Sequence, residues 1–133
     1  MYSRLSVKTD SQTEFIDITQ KIQNIISERE MDTGICHIFV PHTTAGVSIN
    51  ENADPSVVHD ILKELNKIVP FQDSYQHGEG NSAAHIKSSL IGSSLSVIIE
   101  NGRLQLGTWQ GIYFCEFDGP RVRNVWVKLM ADK

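Results

Sequence analysis

Ser94-Leu95-Ser96-Val97-Ile98-Ile99-Glu100-Asn101-Gly102-Arg103-Leu104-Gln105-Leu106 is the stretch whose reading decides the fold. Leu95, Val97 and Ile99 recur at every second position, the period of a strand with one buried face. Asn101-Gly102 tolerates the positive φ angles of a tight hairpin turn, and Arg103 to Leu106 returns as the partner strand. Downstream, Gly107-Thr108-Trp109-Gln110 interrupts and Gly111 to Phe117 reads as a further strand. Asp118-Gly119-Pro120 turns, and Arg121 to Met130 completes a second hairpin.

Upstream, the period changes. Asp54-Pro55 opens a helix, Asp as N-cap and Pro at the first helical position. Val57, Val58, Ile61, Leu62, Leu65 and Ile68 form one apolar stripe, with Asp60, Lys63 and Lys67 facing water, so this helix is expected to pack on a sheet. Val69 to Asn81 is irregular, and Ser82 caps a short helix through Leu90 that Gly92 closes. Ile35 to Val40 is a buried strand halted by Pro41, and Val47 to Asn50 is another short one. Leu5 and Val7, then Phe15-Ile16-Asp17-Ile18, predict two short strands joined by a turn. Thr19 is expected to cap a helix carrying Ile18, Ile22, Ile25 and Ile26, ended by Asp32-Thr33-Gly34. The order β-β-α-β-β-α-β-β-β, with two to three helices set against mainly antiparallel strands, defines an α+β chain, one domain over 1–133.

Composition bounds the function. With 133 residues, 40% hydrophobic and 21% charged, the chain is of ordinary globular type. A net charge of −4 argues against a nucleic-acid binder, which normally presents a basic face. The N-terminus lacks the apolar segment of a secretory signal and no apolar run is long enough to span a bilayer, so a soluble cytoplasmic protein without a membrane partner is expected. Cys36 and Cys115 each lie inside an apolar strand, with no CxxC, and read as reduced core residues rather than catalytic thiolates.

The densest chemistry is His77-Gly78-Glu79-Gly80-Asn81-Ser82-Ala83-Ala84-His85. Imidazole and carboxylate ligate zinc and related metals, and His42 is the expected third histidine beside His77 and His85, although the spacing matches no compact metal signature. The same loop has an anionic reading: Gly78, Gly80 and the free N–H groups at the start of the following helix can cradle phosphate. Both readings stay open. His42-Thr43-Thr44 leaves a strand end, where sheet proteins place function, and Glu51 follows at short range while Asp54 has its capping role. Trp109 can wall a pocket or a subunit contact, Gln110 can orient a ligand or a metal-bound water, and Arg121 can bind phosphate or carboxylate. The plainer alternative there is a bulge and a tight turn, with Arg121 paired to Glu116. His37 reads as a hydrogen-bonded sheet-face residue, and His59 as a polar-face one.

His42-Thr43-Thr44-Ala45-Gly46-Val47, Asn50-Glu51-Asn52-Ala53-Asp54-Pro55, His77-Gly78-Glu79-Gly80-Asn81 with Ala84-His85, Leu106-Gly107-Thr108-Trp109-Gln110 and Phe117-Asp118-Gly119-Pro120-Arg121 together resemble the YjbQ-like family of secondary thiamine-phosphate synthases, across nearly the full chain. The resemblance implies a sandwich of β-sheets packed around a threefold axis as a homotrimer, with the polar motifs near subunit interfaces. It also implies weak formation of thiamine phosphate from hydroxymethylpyrimidine diphosphate and a thiazole phosphate, the principal substrate being unknown. Dedicated synthases of this reaction use a TIM barrel, at least about 200 residues, which this chain is too short to form.

On that basis His42, Glu51, Glu79 and Gln110 are the expected catalytic residues. Thr43, Thr44, Gly78, Gly80, Asn81, Trp109 and Arg121 are the expected ligand-binding ones, and His42, His77 and His85 the expected ligands of a divalent metal, zinc or magnesium. The reading is a small metal-assisted enzyme of phosphate-bearing substrates. Its alternatives are a metal-dependent hydrolase and a trimeric metal- or ligand-binding module without turnover.

Overall fold

The computed structural model describes residues 1–133. In chain order it contains β1 (Ser3–Lys8), β2 (Glu14–Asp17), α1 (Thr19–Glu28), β3 (Gly34–Phe39), β4 (Ala45–Glu51), α2 (Pro55–Ile68), α3 (Ser82–Ile91), β5 (Ser94–Glu100), β6 (Arg103–Leu104), β7 (Gln110–Glu116) and β8 (Val122–Ala131). The class is α+β as expected, and its three helices and eight strands correspond to the segments read individually from the sequence. Two antiparallel sheets form it, β1-β8-β3-β5-β6 and β2-β7-β4.

The Asn101-Gly102 hairpin is present, pairing Ile99 with Leu104 and Glu100 with Arg103. The expected second hairpin is not. β7 pairs with β2 and β4, whereas β8 pairs with β1 and β3, so Asp118-Gly119-Pro120 carries the chain from one sheet to the other. The connection from β1 to β2 makes the same crossing beside it, tied by Thr9 N–H to the Arg121 carbonyl (2.9 Å) and Gly119 N–H to the Gln12 carbonyl (3.1 Å). Period-two alternation records that one face of a strand is buried, not which strand lies beside it. A Cβ on Gly119 would lie 2.3 Å from the Ser11 carbonyl oxygen, so only glycine lets the two crossings touch.

Between the sheets Val7, Cys36, Ile38, Val97, Ile99, Val125 and Val127 meet Val47, Ile112 and Phe114, with Ile22 and Ile26 of α1 closing one side. The three-stranded sheet is covered on its other face as well, where Tyr113, Cys115 and Phe117 pack on Ala84 of α3 and on Val58 and Leu65 of α2. That covering is shallow for α2: none of its residues is fully buried, so its apolar stripe only half packs on the sheet.

Asp54 accepts from Ser56 N–H at 2.9 Å and Pro55 begins α2, as the sequence predicts. The other two caps differ. Ile18 is the N-cap of α1 and makes no side-chain capping bond; Thr19 is the first helical residue, its N–H donating to Asp17 Oδ1 (2.9 Å) and its hydroxyl accepting from Ile112 N–H (2.8 Å). The residue capping α3 is Asn81, whose side chain is drawn off to Asp118. No helix is long and apolar enough to cross a membrane.

Candidate functional site

Pro41 cannot extend the β3 ladder, so Val40 to Thr44 crosses between sheets and delivers His42 to their rim. His42 Nε2 accepts the Asn124 N–H at 2.9 Å. An accepting Nε2 carries a lone pair, so the neutral ring holds its proton on Nδ1 and presents a donor. Burial lowers the pKa of this ring, the Arg123 guanidinium lowers it further, and Glu116 acts in the opposite sense.

Arg123 is the residue that sequence reading missed. It alternates with Val125 and Val127 on the inward face of β8, and an arginine at a core position of a strand pattern was the available signal. Its Nε donates to Glu116 Oε1 (2.8 Å) and its Nη2 to Glu116 Oε2 and to the Thr44 hydroxyl (2.9 Å). Glu116 also accepts from the Thr9 hydroxyl (2.8 Å) and from the N–H groups of Phe117 (3.1 Å) and Asp118 (3.0 Å). Burial alone would raise this carboxyl; the Arg123, Asp118 and Thr9 donors outweigh it and hold its pKa below the usual range. Arg121 therefore does not pair with Glu116. It reaches Asp118 instead, Nη2 to Oδ2 at 3.2 Å, and half of its side chain is exposed.

Asn81 Nδ2 donates to the same Asp118 Oδ2 at 2.9 Å, and this bond ties the His77–Asn81 loop to the corner. Its Oδ1 is buried without a partner. Gly80 takes φ +78°, which glycine allows without steric cost, and Gly78 faces open space. The His77 and His85 rings meet edge to face with centroids 5.4 Å apart.

Three adjoining clefts make up a trough, with His42, Thr44, Arg121 and Arg123 at one end and His77 and His85 at the other. A cleft of about 520 Å³ is lined by His42, Thr43, Thr44, Ser93, Arg121 and Arg123. It adjoins one of about 360 Å³ through Thr43 and Ser93, which in turn shares His85 with a third of about 410 Å³ that His77 and Ser82 line. Thr44 sits in the wall with its hydroxyl held by Arg123. Glu79 is exposed on the loop.

Three expected members lie elsewhere. Glu51 and Gln110 pair at the far end of β4, six residues from Ala45 and hence about 20 Å along the strand. Gln110 Oε1 is occupied by the Gly107 N–H at 2.7 Å, and Trp109 beside it is 63% exposed. His42, His77 and His85 do not converge within one chain either, and no group of three His, Cys, Asp or Glu side chains is placed to hold a metal ion. His42 is turned away by its bond to Asn124. Cys36 and Cys115 are buried free thiols whose pKa values burial raises, Cys36 to about 12, which removes thiolate chemistry near neutrality. His37 bonds Ser96 at 2.8 Å, as a sheet-face residue should, and His59 is exposed beside Asp60.

Fold and trough together define a small two-sheet α+β protein with a cationic, histidine-lined cleft at the junction of its sheets. The profile of the UPF0047 YjbQ-like proteins matches residues 3–132, and the chain belongs to that family. It is 53% identical to a UPF0047 protein of Methanocaldococcus jannaschii over 133 residues, covering 100% of this chain and 96% of the relative. It is 51% identical to the UPF0047 protein YugU of Bacillus subtilis, covering 98% of this chain and 100% of YugU. The crystal structure of an uncharacterized conserved YjbQ/UPF0047 family protein from Clostridium acetobutylicum superposes with a TM-score of 0.94 at 55% identity, over 96% of this chain and 99% of that one. A protein of unknown function from Sulfolobus solfataricus keeps the same fold at 31% identity, TM-score 0.94, over 99% of this chain and 97% of that one.

Proposed function

We propose that this protein is a small metal-assisted enzyme acting on phosphate-bearing substrates in the cytoplasm, with weak thiamine-phosphate synthase activity as one of its reactions. The observation that carries the reading is the trough, which gathers Arg121, Arg123 and the Nδ1–H of His42 at one end and the His77–His85 pair at the other. Guanidinium groups and a neutral imidazole N–H are donors suited to phosphate oxygens. Arg121 is the half-exposed donor that reaches a ligand, while Arg123, sealed by Glu116, contributes its field and fixes Thr44. Ser93 and Thr43 line the passage between the ends and offer hydroxyls along it.

Two adjacent imidazoles fit zinc better than magnesium, which prefers oxygen ligands. His77 and His85 would hold the ion, with Glu79 on the same loop as a further donor. A bound divalent ion supplies charge neutralisation for a departing diphosphate. His42 serves as a phosphate donor in this scheme, since its Nε2 is committed to Asn124.

The assembly we propose is a homotrimer. On the outer face of the five-stranded sheet Ile98, Ile35 and Met130 stand in one cross-strand row, 61%, 41% and 44% exposed, with Phe39 beside Trp126 in another. Further copies of the chain would cover these rows, and would bring Glu51, Gln110 and Trp109 of one subunit to the trough of the next.

The test is product formation from hydroxymethylpyrimidine diphosphate and thiazole phosphate, with the metal content of the purified protein measured alongside. His77→Ala and His85→Ala should lose both metal and product. Unchanged metal content in both variants would sink the metal assignment, and saturable phosphate binding with no turnover would make the protein a binding module.

A further inference from the structure

The five-stranded sheet ends at β1, which pairs only with β8. Thr9 N–H donates to the Arg121 carbonyl, and in an antiparallel ladder every second residue before it then bonds to the same partner strand. Val7, Leu5 and Ser3 therefore turn their backbone groups to β8, while the N–H and C=O groups of Arg4, Ser6 and Lys8 point outward along an open edge. All three of those residues are exposed.

Beside that edge, between β1 and α1, lies a cleft of about 610 Å³ that shares no lining residue with the trough. Lys21, Ile25 and Glu28 recur at helical spacing, so α1 presents one face to it. Leu5 and Ile25, both half-buried, supply its apolar surface. Arg29 closes one end by donating to Ser3 Oγ at 2.8 Å, and the Arg4 guanidinium lies over the Tyr2 ring, 5.5 Å from its centre. None of Arg4, Lys8, Lys21 and Arg29 forms an ion pair, and Glu28 is the one acid in the lining. Cations without counter-ions thus gather along one edge of a chain whose net charge is −4.

We propose that the β1 edge and this cleft are a docking site for an extended acidic segment of a partner protein, which adds to the sheet as a sixth strand. Main-chain bonds to Arg4, Ser6 and Lys8 supply affinity, and side chains alternating along the added strand supply selectivity. Those on one face meet Lys21 and Arg29 around the Leu5–Ile25 surface; those on the other meet Arg4 and Lys8. Charge also decides against a second copy of β1 as the occupant. Two such edges paired antiparallel about Ser6 would set Arg4 of one against Lys8 of the other, and like charges directly opposite are destabilising. Charged residues on an open edge guard sheets against self-association in this way, and the same positions attract a strand of opposite sign. The site is independent of the proposed function, since no residue of the trough takes part.

The experiment is fluorescence anisotropy at low ionic strength with the full chain and a labelled, acetylated peptide of about seven residues, glutamates flanking a central valine, long enough to pair along β1. Saturable binding is expected. N-methylating one alternate set of peptide amides should weaken it at least about tenfold and the complementary set should be tolerated, because only one set faces β1. Lys21→Glu with Arg29→Glu should cost at least about tenfold as well, and Ser6→Pro, which removes an outward N–H without touching the β8 ladder, should abolish binding. Arg121→Ala should leave it unchanged. Absence of saturable binding, equal effects of the two methylated peptides, or loss in Arg121→Ala with none in the Lys21–Arg29 double variant overturns the proposal. So does binding that occurs only as light scattering shows the particle mass falling, since the peptide would then be displacing a second copy. If Ser6→Pro does not fold, the double variant, at two exposed positions, decides.

Discussion

The Arg123 guanidinium grips the Glu116 carboxylate through both Nε and Nη2, joining the two sheets where the chain crosses between them, and neither side chain reaches water. Everything at the cationic end of the trough hangs on this contact. Glu116 orders the Asp118 corner from which Arg121 projects, and Arg123 holds Thr44 and sets the charge that His42 feels.

Arg123→Met should lower unfolding free energy by about 3–5 kcal/mol, because a carboxylate left buried without its cation is far costlier than a missing surface pair. Glu116→Leu together with Arg123→Met should cost less than the sum of the single changes. Urea denaturation of the three variants checks this, and strict additivity would contradict it.

Acid should weaken the same junction. The native Glu116 pKa lies below its ordinary 4.5, so its contribution is complete above pH 4.5 and is lost as pH falls through the native value. His42 titrates below its ordinary 6.5, so protonation favours the unfolded chain and stability already begins to decline as pH drops through 6.5. Urea midpoints from pH 7 to 3 should fall in both windows. NMR should place the His42 midpoint below 6.5 and move it upward in Arg123→Met.

Two glycines should respond oppositely. Gly119→Ala sets a methyl against the Ser11 carbonyl and the Thr9 hydroxyl and should cost about 1–3 kcal/mol or more. A methyl on Gly78 meets nothing within 4 Å, so Gly78→Ala should leave the thermal midpoint within about a degree. Calorimetry on both variants compares them directly.

Arg121→Ala should weaken binding of inorganic pyrophosphate about 10- to 100-fold, the loss expected of one charge-assisted donor. Its pairing with Asp118 is half exposed and contributes at most about 1 kcal/mol to folding, so stability should hardly change. Titration calorimetry separates the two effects; unchanged affinity would remove Arg121 from the site.

On the outer sheet face, Ile35→Glu and Phe39→Glu should convert a trimer to monomers without unfolding them, since both side chains point away from the core. Light scattering reads the mass. A monomeric parent protein would exclude the proposed assembly.

Local patterns made much of this legible. The Asn101-Gly102 hairpin, the Asp54-Pro55 start of α2 and the burial of Cys36 and Cys115 all follow from interactions between residues close in sequence or from one-sided burial. The crossing at Asp118-Gly119-Pro120 did not, because a turn of those residues is compatible with either a hairpin or a change of sheet. Arg123 was likewise overlooked for want of a partner within the pattern: Glu116 is only seven residues away, yet the two meet across different sheets.

The histidine loop at His77–His85 shows the same division. Its glycines, its helix start and its two imidazoles are written in the sequence, since a left-handed residue, a helix N-terminus and a titratable ring each follow from residue type. Which rings meet is a matter of tertiary packing. His77 reaches His85 because α3 lies on the three-stranded sheet and the segment before it, Val69 to Asn81, brings His77 beside it, whereas His42 is claimed by the backbone of β8. Alternation and residue chemistry determined the elements and the inventory of donors; only the pairing of strands across the sandwich decided which donors share a cleft, because that pairing joins positions that no short-range interaction connects.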